Sequence, residues 1–455
     1  MTVRTFLRRL GPAFIVGACI IGPGSVTLMS TTGANYGYHL VWLALVAGGL
    51  MAAFLGLFMR FGIYSDETFL GLAAKKFGRW FAVLCGISLA STNAAFQFGN
   101  AIGVTAGMQA LWGGVSPYVW PVVFSVAAIV FLFAFKNLYR YVEHIMRFFL
   151  VLMFLAFLVN LIWARPDLGA AVKGAFVPSL PEGVNWVTVG GLIGTTFVIV
   201  AAFFQSYLVK AKGWTEDDLA SGATDTLMAS VIFTLIGCVI MMTAAAVLYP
   251  HPPEKGQVTF EIMIGQLESV FGQWARFIFC IGFWSAAFSS FVTNSLIGGV
   301  LLNDGLGLGG RIESTATRVF AALVLLVGMV TGLVIIHNVQ AAAEAGGTEA
   351  VAQAPAVEAP ATPAAAEETA AEAAAQPEDL KVKAIRVGQA ATMLAVPLGA
   401  IAMVAVLFDK RATKGRALPL WAKGIVLVGA AVLLGIAVLM YVKIQPELFE
   451  LLGIG

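Results

Sequence analysis

Charge is what this chain lacks most. Only 11% of its 455 residues are Asp, Glu, Lys or Arg, where a soluble domain carries roughly 25%. Water is therefore not its main solvent. Cysteine is equally sparse. Cys19, Cys85, Cys238 and Cys280 all fall in apolar runs and show no metal-ligand spacing, so they read as small hydrophobes in helices. The four histidines, His39, His144, His251 and His337, lie at segment ends or in loops. No nucleotide loop, catalytic-triad pattern or soluble domain is present to support an enzyme, and no nucleic-acid partner is expected. A cleavable leader is not expected either, because the first apolar run has no small-residue cleavage site and continues past Gly22.

Apolar residues fill the place of the missing charge. They make up 59% of the chain, and the mean hydropathy is +0.89. Stretches near the ~20-residue length of a bilayer span recur throughout. We read eleven: 8–35, 40–62, 80–110, 118–136, 144–164, 187–212, 222–249, 262–302, 316–338, 384–408 and 419–443. With the N-terminus in the cytoplasm, 19 of the 27 Lys and Arg residues fall in cytoplasmic segments. That bias predicts an N-terminus inside, a C-terminus outside and a multi-pass protein of the cell (plasma or inner) membrane. Residues 340–380 are almost all Ala, Pro and Glu with no apolar face, and read as a disordered outer loop.

Two spans are irregular. Span 1 contains Gly22-Pro23-Gly24, which breaks a helix mid-membrane. Lipid cannot satisfy the backbone groups so freed, whereas a protein-lined cavity or an ion can. Span 6 carries a β-branched run around 198–202 with Thr195, Thr196, Gln205 and Ser206 close by. Interrupted helices at matching positions of two five-span halves point to an inverted-repeat carrier with its substrate at the midplane. The halves are expected at 1–165 and 186–408, with 419–443 as an extra span.

The stretch GPAFIVGACIIGPGSVTLMSTTGANYGYHLVW resembles the first span of the Nramp divalent-metal transporters, which have Asp-Pro-Gly-Asn where this chain has Gly22-Pro23-Gly24-Ser25. Residues 194–208 resemble the sixth span of that family, and 388–411 its tenth. The resemblance implies an all-α, LeuT-like fold of about eleven helices, with helices 1 and 6 interrupted. It places Gly22 at the metal-binding aspartate, Ser25 at the asparagine, Val198 at the metal-binding methionine and Val200 at a nearby histidine. Gln389 keeps the tenth-span glutamine. In the third span, Asn93 and Phe96 or Gln97 stand where the family carries an acidic pair in its proton path.

These departures resemble the Nramp-related magnesium transporter branch, and imply transport of Mg²⁺ and also Mn²⁺ as substrate, with no cofactor. Losing the soft thioether removes selection for transition metals. Losing the carboxylate makes full dehydration of a dication very costly. Ser25, Thr195, Thr196, Gln389 and unwound carbonyls would then hold a largely hydrated ion, with small residues at 22, 25, 201 and 202 making room. Asn93, Gln97, Gln205, Ala201 and Ala202 are the pathway candidates. No Asp, Glu, His, Lys or Arg lies near the middle of any span, so transport is expected to be uncoupled from protons. The protein is taken as a monomer whose partners are the cation and the bilayer. The same amides and hydroxyls would also suit a neutral polar solute, and a sensor or scaffold is the reading outside transport.

Overall fold

The computed structural model describes residues 11–135, 137–249, 262–264, 272–352, 392–415 and 418–452. Among them every regular element is helical. The first predicted span is two helices, α1 (Pro12–Ile20) and α2 (Pro23–Tyr36), bent by 57° at the break between them. Then come α3 (Val41–Tyr64), the short α4 (Phe69–Phe77), α5 (Arg79–Leu111), α6 (Val119–Ala134) and α7 (Leu138–Ala164). The short α8 (Leu168–Phe176) precedes α9 (Trp186–Thr196) and α10 (Ile199–Lys212), which together make the sixth span. The rest are α11 (Leu219–Leu248), α12 (Ala275–Gly305), α13 (Thr315–Ala352), α14 (Pro397–Leu407) and α15 (Leu420–Leu452).

Seven helical stretches among the described residues are long and apolar enough to cross a bilayer, with the α9–α10 pair counted as one, and the bent α1–α2 pair makes an eighth. The shorter α6 and α14 are apolar too. In the eighth span, 262–264 are helical, 265–271 lie outside the described residues, and a 3-10 turn at Gly272–Trp274 leads into α12. Residues 340–352, read as the start of a disordered loop, continue α13, and 353–380 lie outside the described residues.

Proline sets three of the helix starts. Pro12, Pro23 and Pro397 each sit at the beginning of α1, α2 and α14, where the missing N–H leaves no bond unmade. Close packing is glycine-based. An added Cβ on Gly33 of α2 would lie 2.1 Å from the Met241 carbonyl oxygen of α11, and one on Gly305 of α12 would lie 2.6 Å from the Ala82 carbonyl of α5. Backbones approach this closely only where a side chain is absent. α5, α12 and α13 pack on one another, and α11 lies along α2 and α3.

The chain's back-and-forth course collects the start of α1, the end of α3, α4, the start of α5 and the ends of α10 and α12 at one end of the bundle. Lys75, Lys76, Arg79, Lys210 and Arg311 gather there, and we name it the basic end. The opposite end holds α8 and a cavity of about 510 Å³ lined by Tyr38, His39, Asp167, Lys173, Ser179 and Tyr249 among others. Burial pushes the Tyr38 phenol up from its ordinary pKa, and the Asp167 charge adds to this.

Candidate substrate site at the broken helices

At the first break Gly22 is extended (φ −122°, ψ −179°) and Ile21 leaves the helical region (φ −90°, ψ 88°). The freed carbonyls are partly claimed from within. The Ser25 hydroxyl donates back across the break to the Ile20 carbonyl, and the Ser289 hydroxyl lies 3.4 Å from the Ala18 carbonyl while its shorter bond, 2.9 Å, goes to the Ala286 carbonyl of its own helix. Ser25 therefore clamps the break and keeps only its acceptor capacity for a substrate. Gly22 is pressed against α12 and α5. A Cβ built on it would fall 2.5 Å from Ser290 Oγ and 3.3 Å from Asn100 Oδ1. The space that the resemblance gives to an aspartate is occupied by these two side chains.

Around that point lies a polar seam between α1, α5 and α12. Gln97 Nε2 donates to the Phe291 carbonyl at 2.6 Å, and Gln97 Oε1 accepts from Asn100 Nδ2 at 3.1 Å. Cys19 Sγ donates to Asn294 Oδ1 at 2.8 Å. Ser290 Oγ is buried without a hydrogen-bond partner. Asn93, one turn before Gln97, donates to the Leu89 carbonyl at 2.8 Å and leaves Oδ1 unpaired. An unmade bond in a dry site costs ~1–3 kcal/mol, so these two oxygens have acceptor capacity left over.

The second break is milder. It is Phe197 (φ −96°, ψ 67°) and Val198 (φ −80°, ψ 82°), one residue ahead of the expected 198–202. The Val198 carbonyl accepts from the Ala201 and Ala202 N–H groups at 2.9 and 3.3 Å, so those alanines form the first turn of α10. The Thr195 hydroxyl returns to the Leu192 carbonyl at 3.3 Å. Thr196 Oγ1 and both amide atoms of Gln205 are buried without partners. Gln389 lies outside the described residues, and the tenth span is described from Thr392 onward. A 3-10 turn at Thr392–Ala395 leads into α14, and the Ser88 hydroxyl of α5 donates to its Ala395 carbonyl.

The structure thus links Gly22 to Gln97 through Asn100, with Ser290 pressed against Gly22 beside them. Asn93 lies on the same helix, one turn from Gln97. Asn100 was not singled out by sequence, although Asn93, Gln97 and Asn100 recur at the spacing of a single helix face. The donors at the seam are neutral oxygens. Among the described residues there is no group of three or more His, Cys, Asp or Glu side chains able to hold a metal ion.

A family model described as Natural resistance-associated macrophage protein-like matches residues 13–345. The divalent metal cation transporter MntH of Yersinia enterocolitica is 26% identical over 335 residues, which is 72% of this chain and 80% of that protein. The divalent metal cation transporter MntH of Caldanaerobacter subterraneus is 24% identical over 343 residues, 72% of this chain and 79% of that one. Among solved structures, the manganese transporter of Eremococcus coleocola, in complex with an aromatic bis-isothiourea substituted compound, superposes with a TM-score of 0.74. It is 12% identical, with 99% of this chain and 96% of that chain covered. The two share a fold.

Proposed function

Because this chain belongs to the Nramp (natural resistance-associated macrophage protein-like) family, we propose that it carries divalent metal ions, Mg²⁺ first and Mn²⁺ with it, across the cell membrane by alternating access and without proton coupling. Relatives described as divalent metal cation transporters support the general class. The single observation that carries the finer reading is the seam of Gln97, Asn100 and Ser290 facing Gly22, with no carboxylate among them.

Amide and hydroxyl oxygens cannot neutralise a dication, so they suit one that keeps its water. Mg²⁺ dehydrates reluctantly and usually retains several waters, and its hydration shell offers donors to the seam's acceptor oxygens. Proton coupling needs a titratable group inside the membrane, and the seam has none suited to it. The driving force is then the ion gradient and the membrane potential. The potential is worth ~2.3 kcal/mol per charge per 100 mV, and a dication gains about twice that. The basic end faces the cytoplasm in this reading. The two halves, 1–165 and 186–408, contribute one broken helix each, and residues 419–443 form an added span.

Uptake into proteoliposomes tests the site. Asn100→Ala and Ser290→Ala should each reduce Mg²⁺ uptake about tenfold while the protein stays monodisperse, whereas unchanged uptake in both would remove the seam from the pathway. A second reading, a neutral polar solute, is favoured by the unpaired Gln205 amide. A ligand that binds the folded state raises its melting temperature, so stabilisation by Mg²⁺ over choline and neutral solutes decides between the two.

A further inference from the structure

The half-helices that run from the two breaks to the basic end, α1 and α10, are each tied down at that end by one buried carboxylate from another helix. Asp225 of α11 is 1% exposed. Its Oδ1 accepts the Gly11 N–H at 2.6 Å and its Oδ2 the Ala13 N–H at 3.0 Å, which fixes the first turn of α1. Asp304, at the end of α12, is 2% exposed. Its Oδ2 accepts the Tyr207 hydroxyl of α10 at 2.5 Å and the Leu70 N–H of α4 at 2.9 Å, and its Oδ1 accepts the Thr68 hydroxyl at 2.6 Å. Beside this second cluster lies a cavity of about 290 Å³ lined by Thr68, Tyr207, Lys210, Gly310, Arg311 and Glu313 among others.

We propose that Asp225 and the Asp304–Tyr207–Thr68 cluster are paired latches that hold the basic-end mouth of the pathway shut. The argument is mechanical. Each half-helix is hinged at a break where the backbone has left the helical region. Its opposite end is held by charge-assisted hydrogen bonds, which are short and strong in a dry setting. Opening toward the basic end requires α1 to leave α11 and α10 to leave α12, and these bonds must break for that to happen. Two-state elements of this kind are biased by whatever contacts differ between the states. Small clusters at the far ends of hinged segments therefore set how often the mouth opens.

Cys19 offers a native reporter. It is buried on the α1–α12 seam, with its thiol on Asn294. In a background where Cys85, Cys238 and Cys280 are alanine, Tyr207→Phe removes one hydroxyl, and Asp225→Asn sets an amide against the two N–H donors. Each variant should raise alkylation of Cys19 by a membrane-impermeant maleimide roughly tenfold when the reagent is on the basic-end side, with no rise from the other side. Thr68→Val should act in the same direction. Unchanged labelling in Tyr207→Phe, which keeps the ring in place, would overturn the latches. So would an equal rise from both sides, because that would mean a loosened fold. The inference rests on the alternating-access reading. Labelling is measured without metal or gradient, so a protein that moves no Mg²⁺ could still pass this test, and the two failures are separable.

Discussion

At the scale of single residues, Gly22 is the most constrained position in the seam. Its backbone angles are ones any residue can adopt, so the constraint is space. A methyl there meets Ser290 Oγ at 2.5 Å. Gly22→Ala should lower stability by about 1–3 kcal/mol, as overpacking does. Adding Ser290→Ala should recover more than half of that loss, because contacting residues couple. Thermal unfolding of the two single variants and the double variant checks this, and additive losses would mean that the two do not touch. The glycine and proline at this break were legible in the sequence, because both act on their own backbone. The pairing of Asn100 with Gln97 was not legible, because an amide within a helical run declares no partner. Ser25 was legible as a polar group at the break, but its bond back to the Ile20 carbonyl depends on the bend itself.

At the scale of elements, α2 and α11 approach backbone to backbone. Gly33→Ala would set a Cβ 2.1 Å from the Met241 carbonyl, where backbone has to move. It should destabilise by about 3 kcal/mol or more. Gly49→Ala, in α3, meets nothing within 4 Å, and should be neutral or stabilising by up to ~1 kcal/mol through helix propensity. The surviving monodisperse fraction after graded heating separates the two, and equal behaviour would contradict the packing. The positions of the spans were largely legible, because hydropathy over ~20 residues is a strong signal. The second break was only approximately so. Phe197 and Val198 include no glycine or proline, yet the helical dihedrals are lost there. Composition suggested a loop from 340, but α13 continues as helix to Ala352.

At the scale of the whole molecule, two broken helices meet a seam of neutral oxygens, and their ends are tied to buried carboxylates at the basic end. The family was legible from motif order, and the fold followed from it. The proposed chemistry rests mainly on a loss, in the residues standing at 22, 198 and 200. The measurement that tests the central claim most directly is Mg²⁺ flux into proteoliposomes containing a trapped Mg²⁺ dye. It should be run with and without an imposed inside-negative potential, with a pH dye in parallel vesicles. Mg²⁺ entry that rises with the potential and leaves the lumen pH unchanged is the expected result. Acidification in step with Mg²⁺, or no entry of Mg²⁺ or Mn²⁺ into vesicles holding folded protein, would contradict it.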